Sequence, residues 1–471
     1  MQDAMQTAGI ELALTQRPTR VRHLVLVLVA LASSSAYLTR HSIAVANTKI
    51  QEDLRFTDAQ MGWVLGAFSY GYLIFQVPGG WLGNRFGTRA ALTGLSVVWS
   101  GLTIATGAST TFLHMFSTRF VFGSAQAGLV PNSGKVLKDW IPIHRRGIAS
   151  ALVGASMSVG GAFTLYLTGK LIGHVHWRMI FFSYSAVGMV WALFFYWWFR
   201  TQPEEHPWVN AEEIALIRTD TESVDAAASS STDESAKVSN DDASGPPLFL
   251  LLSEMFRHRS TWAICSQSFF RAAAYAFYVT WLPAFLIYRF EVTPENAGTM
   301  SSWPVLLVVP GSIFGGFLVD YLLRRTGRRW VSRSGLACVA LVVAGAATLM
   351  ATRTTTLRPF VAFMAMGGLF SGIAGPAVWA ATIDIAGKRT AVVMAVMNTA
   401  GCFIGFVTTY VGYMVERIKK TDGDWNQVIY LHVAFFFAAA FWLLLVNPDD
   451  DVTAGAEPAL AVDGVALPPR A

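Results

Sequence analysis

Arg40, Arg119 and Arg271 each fall inside an apolar run, where a permanent positive charge is hard to keep. Arg40 is the plainest case. It stands in ASSSAYLTRHSIAVAN, residues 32–47, which continues an apolar run beginning near Val21. A charge at the centre of a bilayer-spanning helix is costly, and such residues usually face a cavity and mark a pathway. A guanidinium stays charged and offers a planar fork of donors, which suits a carboxylate or a phosphate. Arg119 and Gln126 are seven residues apart, hence on one face of a helix two turns apart.

The chain around these residues is built for lipid. Of 471 residues 53% are hydrophobic and 14% charged, with a mean hydropathy of +0.44; a soluble domain carries about 25% charged residues. The net charge of +5 comes from scattered basic residues, with no stripe that would track nucleic acid. Cys265, Cys338 and Cys402 lie in apolar runs without metal-ligand spacing, so neither a disulfide framework nor a metal site is expected. No phosphate-binding loop, dinucleotide fingerprint or nucleophile elbow is present. Enzymatic activity, a cofactor and an ATP-driven cycle are therefore not expected. The first run, LVLVLVALA after three arginines, has the flavour of a signal peptide, but it continues past Ala36 and is read as a first membrane helix.

A crossing needs roughly 20 apolar residues. Such stretches fall near 22–47, 60–82, 88–108, 112–137, 147–172 and 178–199, then 261–288, 298–323, 330–351, 356–383, 389–414 and 427–446. The expected fold is all-α, with twelve transmembrane helices in two six-helix bundles. The segments are an N-terminal tail (1–20), a first bundle (21–200), a linker (201–258), a second bundle (259–447) and a tail (448–471). The middle of the linker, TDTESVDAAASSSTDESAKVSNDDASGPP, is acidic and free of aromatics, and is expected to be disordered, as is the tail. WVNAEEIALI, ahead of it, reads as a short surface helix. Lys and Arg concentrate in the loops after even-numbered spans, which places both termini and the linker in the cytoplasm. The loop near Arg417, Lys419 and Lys420 is the exception.

Two of those loops repeat each other. GGWLGNRFGTR (79–89) and GGFLVDYLLRRTGRR (315–329) share a glycine pair, then Asn84 or Asp320, then arginines and Gly-x-Arg. A repeat six spans apart implies two related halves. Its first copy nominates Gly80, Asn84, Arg85, Gly87 and Arg89 as a cytoplasmic gating motif, with Asp320 in the second. The loops and the six-plus-six layout resemble the major facilitator superfamily, a resemblance that covers essentially the whole chain and implies a central cavity opening alternately to each side.

A narrower resemblance is carried by YLTRHSIAVA (37–46), FSYGYLIFQVPGGWLGNRFGTR (68–89), RFVFGSAQAGLVPNSGKVLKDWIPIHRRGIA (119–149), WRMIFFSYSAVGMVWALFFYWWFR (177–200), FFRAAAYAFYVTWLPAFL (269–286) and MNTAGCFIGFVTTYVG (397–412). These resemble the anion:cation symporter family, which includes sugar-acid and organic-anion carriers. The resemblance implies that Arg40 binds a substrate carboxylate. It also implies that Tyr37 and Tyr72 line the cavity, Arg271 and Asn398 contact substrate from the second half, and Arg119 with position 126 takes part in proton coupling. Tyr70, two residues from Tyr72, cannot face the cavity with it.

The chain departs from that pattern where coupling is concerned. The family often has acids at positions 39 and 126; here they are Thr39 and Gln126, and a glutamine carries no proton. His41 remains, about 100° around the helix from Arg40, as does Asp384 near the cytoplasmic end of the tenth span. The expectation is a monomeric secondary transporter of the inner membrane that moves a small organic anion, such as a hexuronate or aldonate, with a proton. Organophosphate or anion exchange and uniport are the alternatives, and a non-transporting sensor is a further one.

Overall fold

The structure, a computed structural model, describes residues 17–142, 145–218, 252–253, 255–386 and 390–450. These are helical, with no strand among the described residues. The first half holds α1 (Val21–Leu54), α2 (Asp58–Gly107), α3 (Phe112–Gln126), α4 (Leu129–Trp140), α5 (Arg146–Ile172) and α6 (Trp177–Trp198). The second holds α7 (Arg259–Thr280), α8 (Leu282–Phe290), α9 (Pro294–Thr326), α10 (Leu336–Ala351), α11 (Leu357–Ala386), α12 (Thr390–Cys402), α13 (Ile404–Thr421) and α14 (Asn426–Leu444).

Local chemistry sets the breaks. A capping box starts α2: Thr57 Oγ1 accepts from the Gln60 amide while the Gln60 side chain accepts from the Thr57 amide. At 50 residues α2 is about 75 Å long, too long for one crossing of a ~30 Å hydrocarbon layer. Gly87 divides it, with φ 79° and ψ 153°. Gly327 ends α9 at φ 65°. These are the two glycines with positive φ among the described residues, and they occupy matching places in the repeated loop. The glycine of Gly-x-Arg is therefore a backbone requirement in both copies.

Nine helices among the described residues are long and apolar enough to cross a membrane, or ten when α7 and α8, bent by 58°, form one crossing. The expected spans at 60–82 and 88–108 meet at the Gly87 break, and the expected span at 112–137 is the broken pair α3 and α4.

Glycines let the halves approach at the end of the molecule where α1 finishes, called here the far end. A Cβ on Gly62 of α2 would stand 2.8 Å from the Thr409 carbonyl and 3.0 Å from Gly412 Cα of α13. One on Gly169 of α5 would stand 3.0 Å from Gly298 Cα of α9. Polar contacts fasten the same end. Lys419 Nζ lies 2.8 Å from Asp58 Oδ2, and Lys170 Nζ 2.6 Å from Glu295 Oε1. The Tyr288 hydroxyl donates to Gln51 Oε1 at 2.8 Å. Among hydrogen bonds between described residues of the two halves, the contact closest to the opposite end is Thr399 to Gln76 at 3.4 Å.

The short surface helix expected in WVNAEEIALI is present, with one side turned inward. Residues 211–218 are helical, but Glu213 is fully buried, and so is Ile217. The Glu213 carboxylate accepts from the Val21 and Arg22 amides at 3.3 and 3.1 Å, from Arg22 Nη1 at 2.9 Å, and from the Thr19 hydroxyl. A carboxylate on the first turn of α1 satisfies amides that have no partner within the helix and complements the helix dipole. The acidic middle of the linker, residues 1–16 and residues 451–471 lie outside the described residues.

Candidate functional site

Arg40 projects from the middle of α1 into a frame of aromatics. Its guanidinium carbon lies 4.5 Å from the Tyr37 ring centroid, 4.3 Å from that of Phe68 and 5.4 Å from that of Tyr72. Ring faces attract a cation within about 6 Å. Tyr37 reaches Arg40 because it lies three residues back on α1; Phe68 and Tyr72, four apart on α2, meet it from the next helix. Arg40 Nε donates to Gln126 Oε1 at 3.1 Å. Gln126 is itself fully buried, and its Nε2 donates to the Ala36 carbonyl at 3.0 Å and to Thr39 Oγ1 at 3.2 Å. Thr39 and Gln126, at the two positions where the resembling family often has acids, thus form a neutral clamp that holds Arg40 by Nε.

Arg119 lies directly behind. It is 2% exposed, and Nη2 donates to the Arg40 carbonyl at 3.2 Å. Its guanidinium carbon is 4.5 Å from the Phe122 centroid and 5.8 Å from that of Phe68. Nε and Nη1 of Arg119 are buried without a hydrogen-bond partner. Arg271 of α7 likewise has a buried, unpartnered Nε. Tyr275 stands one turn on from Arg271 on α7, its ring against that of Tyr278 with centroids 6.1 Å apart. Among the described residues no carboxylate forms an ion pair with Arg40, Arg119 or Arg271.

The other nominated residues divide. Asn398 is exposed on α12, and its carbonyl accepts from Cys402 Sγ at 3.3 Å. His41 is buried against Tyr37, with ring centroids 5.2 Å apart, and would be 3.3 Å from a Cβ on Gly161. It is packed away from Arg40, as its place on the helix implies. Tyr70 joins the seam between halves instead, its hydroxyl 2.9 Å from Thr409 Oγ1. Asp384 is held by Arg333 Nε at 2.9 Å.

In the repeated loop, Asn84 Oδ1 accepts from Lys135 Nζ at 3.0 Å, and the Gly83 carbonyl accepts from the same group at 3.1 Å. Arg89 Nε donates to the Tyr196 carbonyl at 2.8 Å. A Cβ on Gly80 would lie 3.3 Å from Pro131. Arg85 and Asp320 are exposed. Sequence reasoning missed Phe68, Tyr275 and Lys135. The first two carry a signal in the sequence, since each lies four residues from a nominated residue on the same helix; Lys135 carries none.

The model of the Major Facilitator Superfamily matches residues 29–409. A probable sulfoacetate transporter of Cupriavidus necator is 27% identical over 432 residues, covering 91% of this chain and 94% of its own length. A probable galactarate/D-glucarate transporter of Bacillus subtilis is 25% identical, covering 92% and 93%. A hexuronate transporter of the same species is 24% identical, covering 85% and 89%. Among solved structures, a bacterial homologue of the human lysosomal transporter Spinster superposes with a TM-score of 0.70 at 18% identity, covering 94% of this chain and all of that one. The xylose transporter of Escherichia coli gives 0.64 at 12% identity, covering 90% and 95%. The chain, with its helical halves and arginine-lined centre, belongs to the Major Facilitator Superfamily and is a membrane transporter rather than an enzyme.

Proposed function

We propose that this transporter moves a small organic anion of the sugar-acid class by alternating access. Hexuronates, aldonates and the galactarate/D-glucarate of the named relatives all fall in that class. The observation that carries the reading is Arg40, a cation in mid-helix held by a neutral clamp, over three aromatic rings, with no acid beside it. A substrate carboxylate takes the terminal nitrogens of Arg40, and Arg271 meets the anion from the other half. Tyr37, Tyr72 and Asn398 line the route, and Arg119 and Gln126 set the position and charge behind it. The protein is a twelve-span monomer of the inner membrane, with its termini, the 201–258 linker and the 79–89 and 315–329 loops in the cytoplasm. The halves, fastened at the far end, are then in the inward-open arrangement, and closing the loop motifs around Asn84, Arg85, Gly87, Arg89 and Asp320 turns the cavity outward.

Proton symport is the coupling mode proposed first, with His41, next to Arg40 in sequence but on another face of α1, as the titratable group. Anion exchange is the second reading, favoured by the Thr39–Gln126 clamp, which has no group to carry a proton. Both are tested by uptake of radiolabelled sugar acids and sugar phosphates into proteoliposomes, with and without an inward proton gradient or internal anion. Sugar-acid uptake that rises with the gradient supports symport. Uptake that ignores protons and requires internal anion replaces it with exchange, and uptake of sugar phosphates alone overturns the substrate class.

A further inference from the structure

Resting on the organic-anion reading above, we infer that the site selects doubly charged anions over singly charged ones, and that Gln126 is the residue that sets this preference. The observation is one of charge count. Arg40, Arg119 and Arg271 bring three permanent positive charges to the centre of the molecule, and no carboxylate among the described residues is paired with any of them. Several acids nearest in sequence are engaged elsewhere: Glu52 with Lys49, Asp53 with Arg178, Asp58 with Lys419 and Glu295 with Lys170. Arg119 is nearly fully buried and keeps two donors without a partner, and Arg271 keeps one.

A buried cation without a counter-charge is expensive in a medium of low dielectric constant. A singly charged substrate offsets one of the three charges and leaves two. A doubly charged one offsets two, and it can place one anionic group on each half, at Arg40 and at Arg271. The residue best placed to supply counter-charge from within is at position 126, whose side-chain oxygen is already 3.1 Å from Arg40 Nε and whose amide nitrogen is held by Ala36 and Thr39. Being an amide, it supplies none, so the balance is left to the substrate. Gln126 acts through Arg40 as a positioning and charge-setting residue.

The test uses matched pairs that differ by one charge: D-glucarate against D-gluconate, and succinate against 4-hydroxybutyrate. Binding of each is measured to the full-length protein in nanodiscs. Within whichever pair binds, the dianion is expected to be favoured by about tenfold or more, the weight of roughly one further charge interaction. The isosteric Gln126→Glu variant, checked for an intact melting transition, is expected to lower that ratio by about threefold or more, because the new carboxylate offsets one arginine. A wild-type protein that binds the monoanion equally well or better overturns the inference and leaves the organic-anion reading standing. An unchanged ratio in Gln126→Glu removes the role of Gln126. Binding of neither member of either pair rejects both this inference and the reading it rests on.

Discussion

Cations at the far end of the molecule and cations at its centre are treated in opposite ways. At the far end Lys419 meets Asp58, Lys170 meets Glu295 and Arg178 meets Asp53, with oxygens 2.6–3.1 Å away. At the centre Arg40 meets a glutamine, Arg119 a backbone carbonyl, and Arg271 keeps an unpartnered Nε. A cation with an acid beside it fastens structure. A cation fixed in place and denied an acid is kept for a ligand, because only an incoming anion completes it. The difference separates residues that fasten the far end from residues that give the halves something to carry.

The contrast can be broken by exchanging the outcomes of mutation. Arg40→Gln is expected to lower anion uptake by about 100-fold, the scale of truncating one member of a buried charged pair. Its melting transition in the absence of ligand is expected to hold, since an uncompensated charge has been removed. Glu213→Gln is expected to cost about 3 kcal/mol of stability, because Arg22 is left buried beside a neutral group. Calorimetry and protease cleavage of the linker read this loss, with transport by the surviving folded fraction retained. Asp58→Asn is expected to cost only about 1 kcal/mol, since Lys419 is 35% exposed and solvent screens it. It is also expected to ease opening at the far end, read as faster labelling of a cysteine placed at Thr409, a residue buried on the same seam. An Arg40→Gln protein that melts early, or an Asp58→Asn protein that loses anion binding, would erase the distinction.

A smaller effect sharpens the paired class. His206, in the strap ahead of the 211–218 helix, is buried against Trp140, Trp198 and Trp208, with ring centroids 4.6–5.8 Å apart. Burial, followed by the nearby Arg200, lowers its pKa from the ordinary 6.5. The folded protein therefore binds fewer protons than the unfolded chain. The stability this contributes is fully present above pH 6.5 and is lost as pH falls below it toward the lowered folded value. Protease resistance of the strap should fall between pH 7.5 and 5.5, and His206→Phe should flatten that dependence.

How much of this was legible in the sequence varies with range. The spans, the repeat and the mid-helix place of Arg40 follow from hydropathy and spacing, which are local signals, and the matched positive φ at Gly87 and Gly327 gives the repeat a physical reason. The family resemblance selects Tyr72 over Tyr70, and the structure places Tyr72 near Arg40 and Tyr70 on the seam. The substitutions Thr39 and Gln126 were visible as departures, but that they bind each other and clamp Arg40 was not, because that contact joins residues 87 apart. Glu213 was hidden for the same reason. Its partners lie about 190 residues away, and an acid in a short polar helix reads as solvent-facing until its neighbours are known.

The most direct measurement is the shift in melting temperature produced by D-glucarate on the wild-type protein and on Arg40→Gln, in detergent at one pH. Binding to the folded state alone raises the transition as ligand concentration passes the dissociation constant. The expected result is a clear rise for the wild type, none for Arg40→Gln, and no fall in the unliganded transition of the variant. A variant that keeps the ligand-induced rise would contradict the assignment of Arg40 to the anion, and one whose unliganded transition collapses would make Arg40 a structural cation like those of the far end.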